Sequence, residues 1–306
     1  VTPRFAVALP QYARGSCFDH AAFRSFLSAV ERSGAFESVW TQEQVLGPGG
    51  IVAPLQLLTY AAAFTETVKL GCAVFILPLH NPLHLAKAIA SLDVLSDGRA
   101  EVGLATGGTG RPFAAFGIDG ARPVARFNEA LALMKACWTQ GRIDFDGEFF
   151  SLHDATMEPK PVQRPHPPVW FGGAAPAGMR RAVRHGDGFM GAGSQTPAAF
   201  AGQVAVVREA LAAQGRDPQS FRIGKRVYIH VDEDADRGAR RLHDALVAHY
   251  GGGSWSEHIT TGSPEQCADG LRRIIDAGAE LLLFNQLLDD AEQLERLAGE
   301  VVPLLR

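Results

Sequence analysis

Four short runs of small and polar residues carry the features in this sequence that could do chemistry: Glu43-Gln44, Thr106-Gly107-Gly108, Gly172-Gly173-Ala174 and Gly191-Ala192-Gly193-Ser194. Each follows directly on an apolar run of strand type. Residues without bulk let a planar ring or a phosphate lie close against the backbone, although glycine is also ordinary turn chemistry. Gathered on one face, the four runs form a binding rim. Gly172-Gly173-Ala174 also precedes a helix whose free amides could hold an anion. Arg126, near the start of another helix, is either a further charged donor or a solvated surface residue. Glu43 is the acid of the set: it can hold or relay a proton, or simply accept a hydrogen bond from a ligand, with Gln44 as its polar neighbour. Gly108-x-Gly110 lacks the third glycine of a dinucleotide fingerprint, since position 113 is Phe. No phosphate-loop, His-Glu-x-x-His or Gly-x-Ser-x-Gly motif occurs, and no pair of histidines one helical turn apart has a carboxylate nearby, so metal catalysis has no support.

Short apolar runs rich in β-branched and aromatic residues alternate with longer segments of helical period, the pattern of parallel strands joined by helices. Strands are expected at 4–10, 36–41, 69–77, 99–105, 169–171, 188–191, 222–231 and 280–285, each followed by a helical segment. Asn81-Pro82 reads as an N-cap followed by a proline at the first helical position. Ser263-Pro264-Glu265-Gln266 reads as a capping box. Between the fourth and fifth strands the chain makes an excursion, with a helix over 123–139 and a β-hairpin over 143–150 turning at Asp146-Gly147. Residues 251–253 read as a loop leading to a helix at 264–277. Open, doubly wound sheets also alternate strand and helix. The count of eight units, with no linker to split them, points to one (β/α)8 TIM barrel spanning residues 1–306, its site at the carboxyl ends of the strands.

With 306 residues, 46% hydrophobic and 20% charged, the composition is that of an ordinary globular protein. A net charge of −4 with no Lys/Arg-rich run offers no footprint for nucleic acid or an anionic membrane. No run is apolar and long enough to span a bilayer, and no signal-like start is present, so the expectation is a cytoplasmic protein acting on a small molecule. Cys17, Cys72, Cys137 and Cys267 lie far apart, without a Cys-x-x-Cys pair, and are expected to be reduced thiols.

The stretch Gly71-Cys-Ala-Val-Phe-Ile-Leu-Pro-Leu-His-Asn-Pro82, continuing to Ser91-Leu-Asp-Val-Leu-Ser-Asp-Gly-Arg99, resembles the luciferase-like flavin/deazaflavin oxidoreductase superfamily. The resemblance extends through Glu101-Val-Gly-Leu-Ala-Thr-Gly107, Arg126-Phe-Asn-Glu-Ala-Leu131, Pro168-Val-Trp-Phe-Gly-Gly173 and Gly186-Asp-Gly-Phe189, and so over nearly the whole chain. It implies a barrel that binds FMN or the deazaflavin F420, its ring resting on a bulge of the third strand. That bulge aligns with Ala73-Val74 and often holds a non-proline cis peptide. The resemblance also implies that Thr106 and Gly107 line the ring pocket, that Arg126, Gly172, Gly173 and Ala174 approach the cofactor phosphate, and that Gly191, Ala192 and Gly193 close the tail side. His80, beside the third-strand rim, is expected to partner loop backbone. In the F420-using sugar-phosphate dehydrogenase branch, Asp-His ends the second strand and an acid follows Thr-Gly of the fourth. Here Glu43, Gln44 and Gly108 stand at those places, which argues against a sugar phosphate as substrate.

The resemblance therefore implies hydride transfer between F420 and a small organic substrate, a reduction, with the short chain and GC-rich composition favouring F420 by analogy. The alternatives are an FMN-dependent monooxygenase served by a separate reductase, and a barrel that binds cofactor without turnover. A homodimer is also implied, and the segment 82–95, apolar on much of its surface, is compatible with pairing or with packing on the barrel wall.

Overall fold

The computed structural model describes residues 2–13, 17–47, 49–108 and 113–306. Gly110, of the Gly108-x-Gly110 pattern, lies outside the described residues. Eight parallel strands close into a barrel: β1 (Arg4–Ala8), β2 (Ser38–Thr41), β3 (Lys69–Ile76), β4 (Ala100–Ala105), then, past the excursion strands β5 (Ile143–Asp146) and β6 (Ser151–Ala155), β7 (Val169–Gly172), β8 (Gly188–Gly191), β9 (Arg222–Val231) and, past β10 (Ile259–Gly262), β11 (Leu281–Asn285). Each wall strand pairs with its neighbour, and β11 returns to β1 to close the ring. Helices α1 (His20–Ser33), α2 (Pro54–Ala62), α3 (Pro82–Leu95), α4 (Pro123–Thr139), α5 (Pro176–His185), α6 (Pro197–Ala213), α7 (Ala235–Tyr250), α8 (Pro264–Asp276) and α9 (Asp290–Arg296) connect them. The eight wall strands are the eight expected from the sequence.

Local chemistry sets the helix starts. Asn81 accepts from the amides of Leu83 and His84, 2.9 and 3.3 Å away, to open α3. Ser263 and Gln266 form the reciprocal capping box that opens α8. The helices bury one face each against the wall, as Phe23, Phe26, Leu27 and Val30 do on α1.

Inside the barrel, Ala6, Trp40, Trp170, Met190, Leu281 and Leu283 form a separate apolar plug with Ala73 packed on it. The rings of Trp40 and Trp170 meet edge to face, centroids 5.8 Å apart. Glycine opposite each indole makes the room: a Cβ at Gly71 would sit 2.4 Å from Trp40, and one at Gly188 would sit 2.6 Å from Trp170. Trp170 donates to the buried carboxylate of Glu101 (2.7 Å). Burial raises the pKa of that group, against the opposing pull of Lys69 and Arg222. The plug seals the barrel below and leaves the carboxyl ends of the strands open above.

Two features differ from the sequence expectation. The excursion hairpin turns later than Asp146-Gly147 suggests, with its second arm at Ser151–Ala155. The Glu129 carboxylate of α4 accepts from the amides of Glu148, Phe149 and Phe150, and this capping widens the turn beyond a two-residue loop. The stretch after α7 was expected to be loop, yet it holds β10, parallel to the far half of β9. Ten-residue β9 outruns its neighbour β8, whose pairing stops at Lys225, and the edge it leaves bare beyond that point is covered by β10 from Tyr228 to Val231.

Candidate active site

Above the plug lies a cavity of about 240 Å³ lined by Gln42, Glu43, Ala73, Val74, Ile76, Ala105, Gly172, Gly173, Met190, Gly191, Ala192, Arg226 and Tyr250. All but Tyr250, the last residue of α7, lie on wall strands or on the residues just after them. One wall is shaped by a bulge in β3. Cys72 pairs with Val102 and Phe75 with Leu104, so Ala73 and Val74 together face the single residue Gly103. The Ala73–Val74 peptide is cis. Glycine at 103 lets the bulged strand come close, since a Cβ there would fall 2.1 Å from the Cys72 carbonyl oxygen. Gly172 does the same across the slot, with its Cβ position 2.9 Å from Val74 Cγ1.

Glu43 stands beside this bulge with its side chain 4% exposed. Oε2 accepts from the Ile76 amide at 2.7 Å, and Oε1 is 2.7 Å from His80 Nε2. His80, 25% exposed and edge-on to Phe75, reaches the carboxylate from the turn after β3. The histidine expected to serve loop backbone is instead the partner of the cavity's acid. Gln44 turns the other way: its amide packs under Gly47 and Gly49, and it lines an adjoining groove with Val45, Leu46, Leu79 and Phe116.

The remaining expected residues divide into two groups. Ala73, Val74, Gly172, Gly173, Gly191 and Ala192 share the cavity with Glu43. Thr106 and Gly107 follow Ala105 at its edge, the Thr106 hydroxyl donating to the Gly107 carbonyl. Ala174 leads into α5, whose N-terminus at Ala175-Pro176 has no side-chain cap, while Gly193 packs on Tyr228. Arg126 stacks over Phe150 and Phe149 of the hairpin turn, 4.8 and 5.8 Å from the ring centres, and its buried Nε has no partner.

The floor holds a cluster that the sequence reading missed. Arg226 Nη1 donates to Gln42 Oε1 (3.1 Å) and lies 3.5 Å from the Ala73 carbonyl, while Nη2 donates to the hydroxyls of Tyr228 (2.6 Å) and Tyr250 (3.0 Å). Gln42 in turn bonds Tyr12 and His249. Burial pushes the Tyr12 and Tyr228 phenols up, so both are neutral at ordinary pH. Next to Arg226, Lys225 points out of the barrel, 2% exposed, donating to the carbonyls of Ala192 and Arg226. Burial, then the charge of Arg226, brings its pKa down to about 7. The signal available was two adjacent cations in the middle of a largely apolar strand, a pairing rare without a purpose.

These features fit a flat, phosphate-bearing cofactor. Ala105, Gly172 and Gly173 leave a slot against the bulge, space is open around Gly173 (φ +145°), and α5, whose N-terminus has no side-chain cap, begins at Pro176 just beyond.

The fold and this rim define an α/β-barrel enzyme with its site at the carboxyl ends of the strands. The chain belongs to the luciferase-like monooxygenase family, whose family model matches residues 4–254; it is an oxidoreductase of that family. It is 27% identical to an F420-dependent glucose-6-phosphate dehydrogenase of Kineococcus radiotolerans, over 99% of this chain and 96% of the relative. It is 26% identical to an FMNH2-dependent dimethylsulfone monooxygenase of Pseudomonas putida, over 92% and 87% of the two chains. Among solved structures, a monooxygenase from Streptomyces bottropensis superposes with a TM-score of 0.85 at 22% identity, covering 98% of this chain and 99% of that one. An F420-dependent secondary alcohol dehydrogenase bound to an F420-acetone adduct superposes at 0.84 and 18%, covering both chains fully. Both superpositions bear on the fold. Among the described residues no helix is long and apolar enough to cross a membrane.

Proposed function

We propose that the enzyme is an F420-dependent oxidoreductase that reduces a carbonyl group of a small organic substrate. The observation that carries this reading is the Glu43–His80 pair placed on the cavity wall beside the β3 bulge. When bound, F420 would supply a ring that carries hydride. Ala73 and Val74 would back that ring, Thr106 and Gly107 would border it, and Gly172, Gly173, Ala174 and Arg126 would meet the phosphate, with Gly191 to Gly193 along the tail. A carbonyl that gains hydride must also gain a proton. Glu43 Oε1 can deliver it, replenished through His80 Nε2, whose partial exposure connects the pair to solvent. The full-length match to an F420-dependent relative supports this choice of cofactor. Gln44 and Gly108, where the sugar-phosphate branch has a histidine and an acid, argue for a different substrate.

The second reading, an FMN-dependent monooxygenase fed by a separate reductase, is favoured by the similarity to the dimethylsulfone enzyme. Titration of the purified protein with each cofactor separates the two. The expected result is saturable quenching of F420 fluorescence with markedly weaker FMN binding; tight FMN binding without F420 binding reverses the assignment. The assembly we propose is a homodimer.

A further inference from the structure

Among the half-buried arginines Arg226 is the one that lines the cavity; Arg126 and Arg181 also lack a carboxylate, but they lie over the rings of Phe150 and Phe127. Arg222 lies 3.5 Å from Glu101, and Arg296 lies 2.9 Å from Glu300. Arg99 lacks a carboxylate but caps carbonyls at the C-terminal end of α2, the negative end of that helix. The acceptors around Arg226 are an amide oxygen, a peptide carbonyl and two phenol hydroxyls, all neutral. Among the described residues no carboxylate pairs with it. Glu43, in the same cavity, has its oxygens engaged by Ile76 and His80. The uncompensated charge depresses the pKa of His249 and Lys225, in each case adding to burial. A buried cation held only by dipoles is costly to keep without an anion, and this one faces a cavity.

We infer that Arg226 is an anion receptor on the cavity floor, and that the substrate is a small carbonyl compound bearing a carboxylate-type oxyanion. The inference rests on reading the cavity as the place of substrate reduction. Tyr250 is the contact an incoming anion would replace: it is 40% exposed, ends α7 immediately before Gly251, and is also held by Gln42 at 2.8 Å. Moving its hydroxyl aside frees an Nη2 donor for an anionic oxygen, a stronger acceptor than a phenol. Arg226 would then determine specificity by charge.

Calorimetric titration of the full chain with butanoate and with butanamide, alike in shape but not in charge, tests this. With F420 present, wild type is expected to bind butanoate at least about ten-fold more tightly than butanamide. Arg226→Gln should abolish that preference, Arg226→Lys should keep part of it, and Tyr250→Phe should keep or increase it. Circular dichroism checks that each variant folds; should Arg226→Gln fail, the lysine and Tyr250 variants carry the test. Equal affinity for the two probes, failure to bind either, or a preference that survives Arg226→Gln would overturn the proposal. So would a butanoate preference that vanishes once F420 is bound, since Arg226 would then serve the cofactor's own anionic edge. If F420 does not bind at all, the hydride-transfer reading falls, while the same pair of titrations on the cofactor-free protein still decides whether Arg226 receives an anion.

Discussion

Glu43 has two partners, and they fix it in one place: the Ile76 amide donates to one oxygen and His80 Nε2 lies against the other. A side chain so held suits proton delivery better than a free surface acid does. Glu43→Gln keeps the shape and removes the proton. It should lower the rate of substrate reduction by about 10²-fold while leaving cofactor affinity within a small factor of wild type; single-turnover kinetics and a binding titration check the two halves. An unchanged rate would remove Glu43 from the chemistry. Gly172 makes a steric case instead. A methyl there meets Val74 Cγ1 at 2.9 Å, so Gly172→Ala should displace the wall of the slot and weaken cofactor binding by roughly ten-fold, measured by the same titration. Glu43 and the glycines were legible in the sequence because each directly follows an apolar run. Arg226 was not, because a strand reading asks whether a run is apolar and passes over an inward-facing charge within it. The His80 partnership also escaped, since it joins turns that are distant in sequence.

At the scale of elements, the bulge of β3 and the length of β9 do most to shape the site. The first depends on Gly103 opposite, and the second carries Arg226 inward and Lys225 outward on successive residues. Lys225 gives the fold a pH dependence. Its folded pKa of about 7 lies below the ordinary 10.5, so between those values the unfolded chain holds a proton that the folded protein lacks. Stability should therefore rise as pH increases from about 7 toward 10.5, and its cost should be full below 7. Thermal melts across that range should show the rise, and Lys225→Met should flatten it while raising the melting temperature most at neutral and lower pH. A profile unchanged in the variant would contradict the assignment. The eight wall strands could be read from the sequence because apolar β-branched runs and helix caps agreed with one another. Strand β10 could not: Ile-Thr-Thr-Gly is short and half-exposed, and its reason for existing is the free edge of β9. The hairpin turn was misplaced because Asp146-Gly147 looks like a complete turn when the capping by Glu129, far back on α4, is unseen.

The whole molecule buries its plug and its helix faces, yet it leaves Phe64, Val94 and Leu95 43%, 41% and 66% exposed just past α2 and at the end of α3. These two helices pack together, which makes the patch a candidate for the proposed dimer contact. Light scattering after gel filtration should give twice the mass of one chain, and Leu95→Glu should shift it toward the monomer; a wild-type monomer would remove the dimer. The chemistry is tested most directly by an anaerobic single turnover. Reduced F420 is bound to the enzyme, a small carbonyl acid such as a 2-oxo acid is added with oxygen excluded, and deazaflavin oxidation is followed by absorbance. The expected result is oxidation matched one for one by the corresponding alcohol. Reoxidation that fails across a panel of carbonyl substrates, or product formation only with reduced FMN and oxygen, would contradict it.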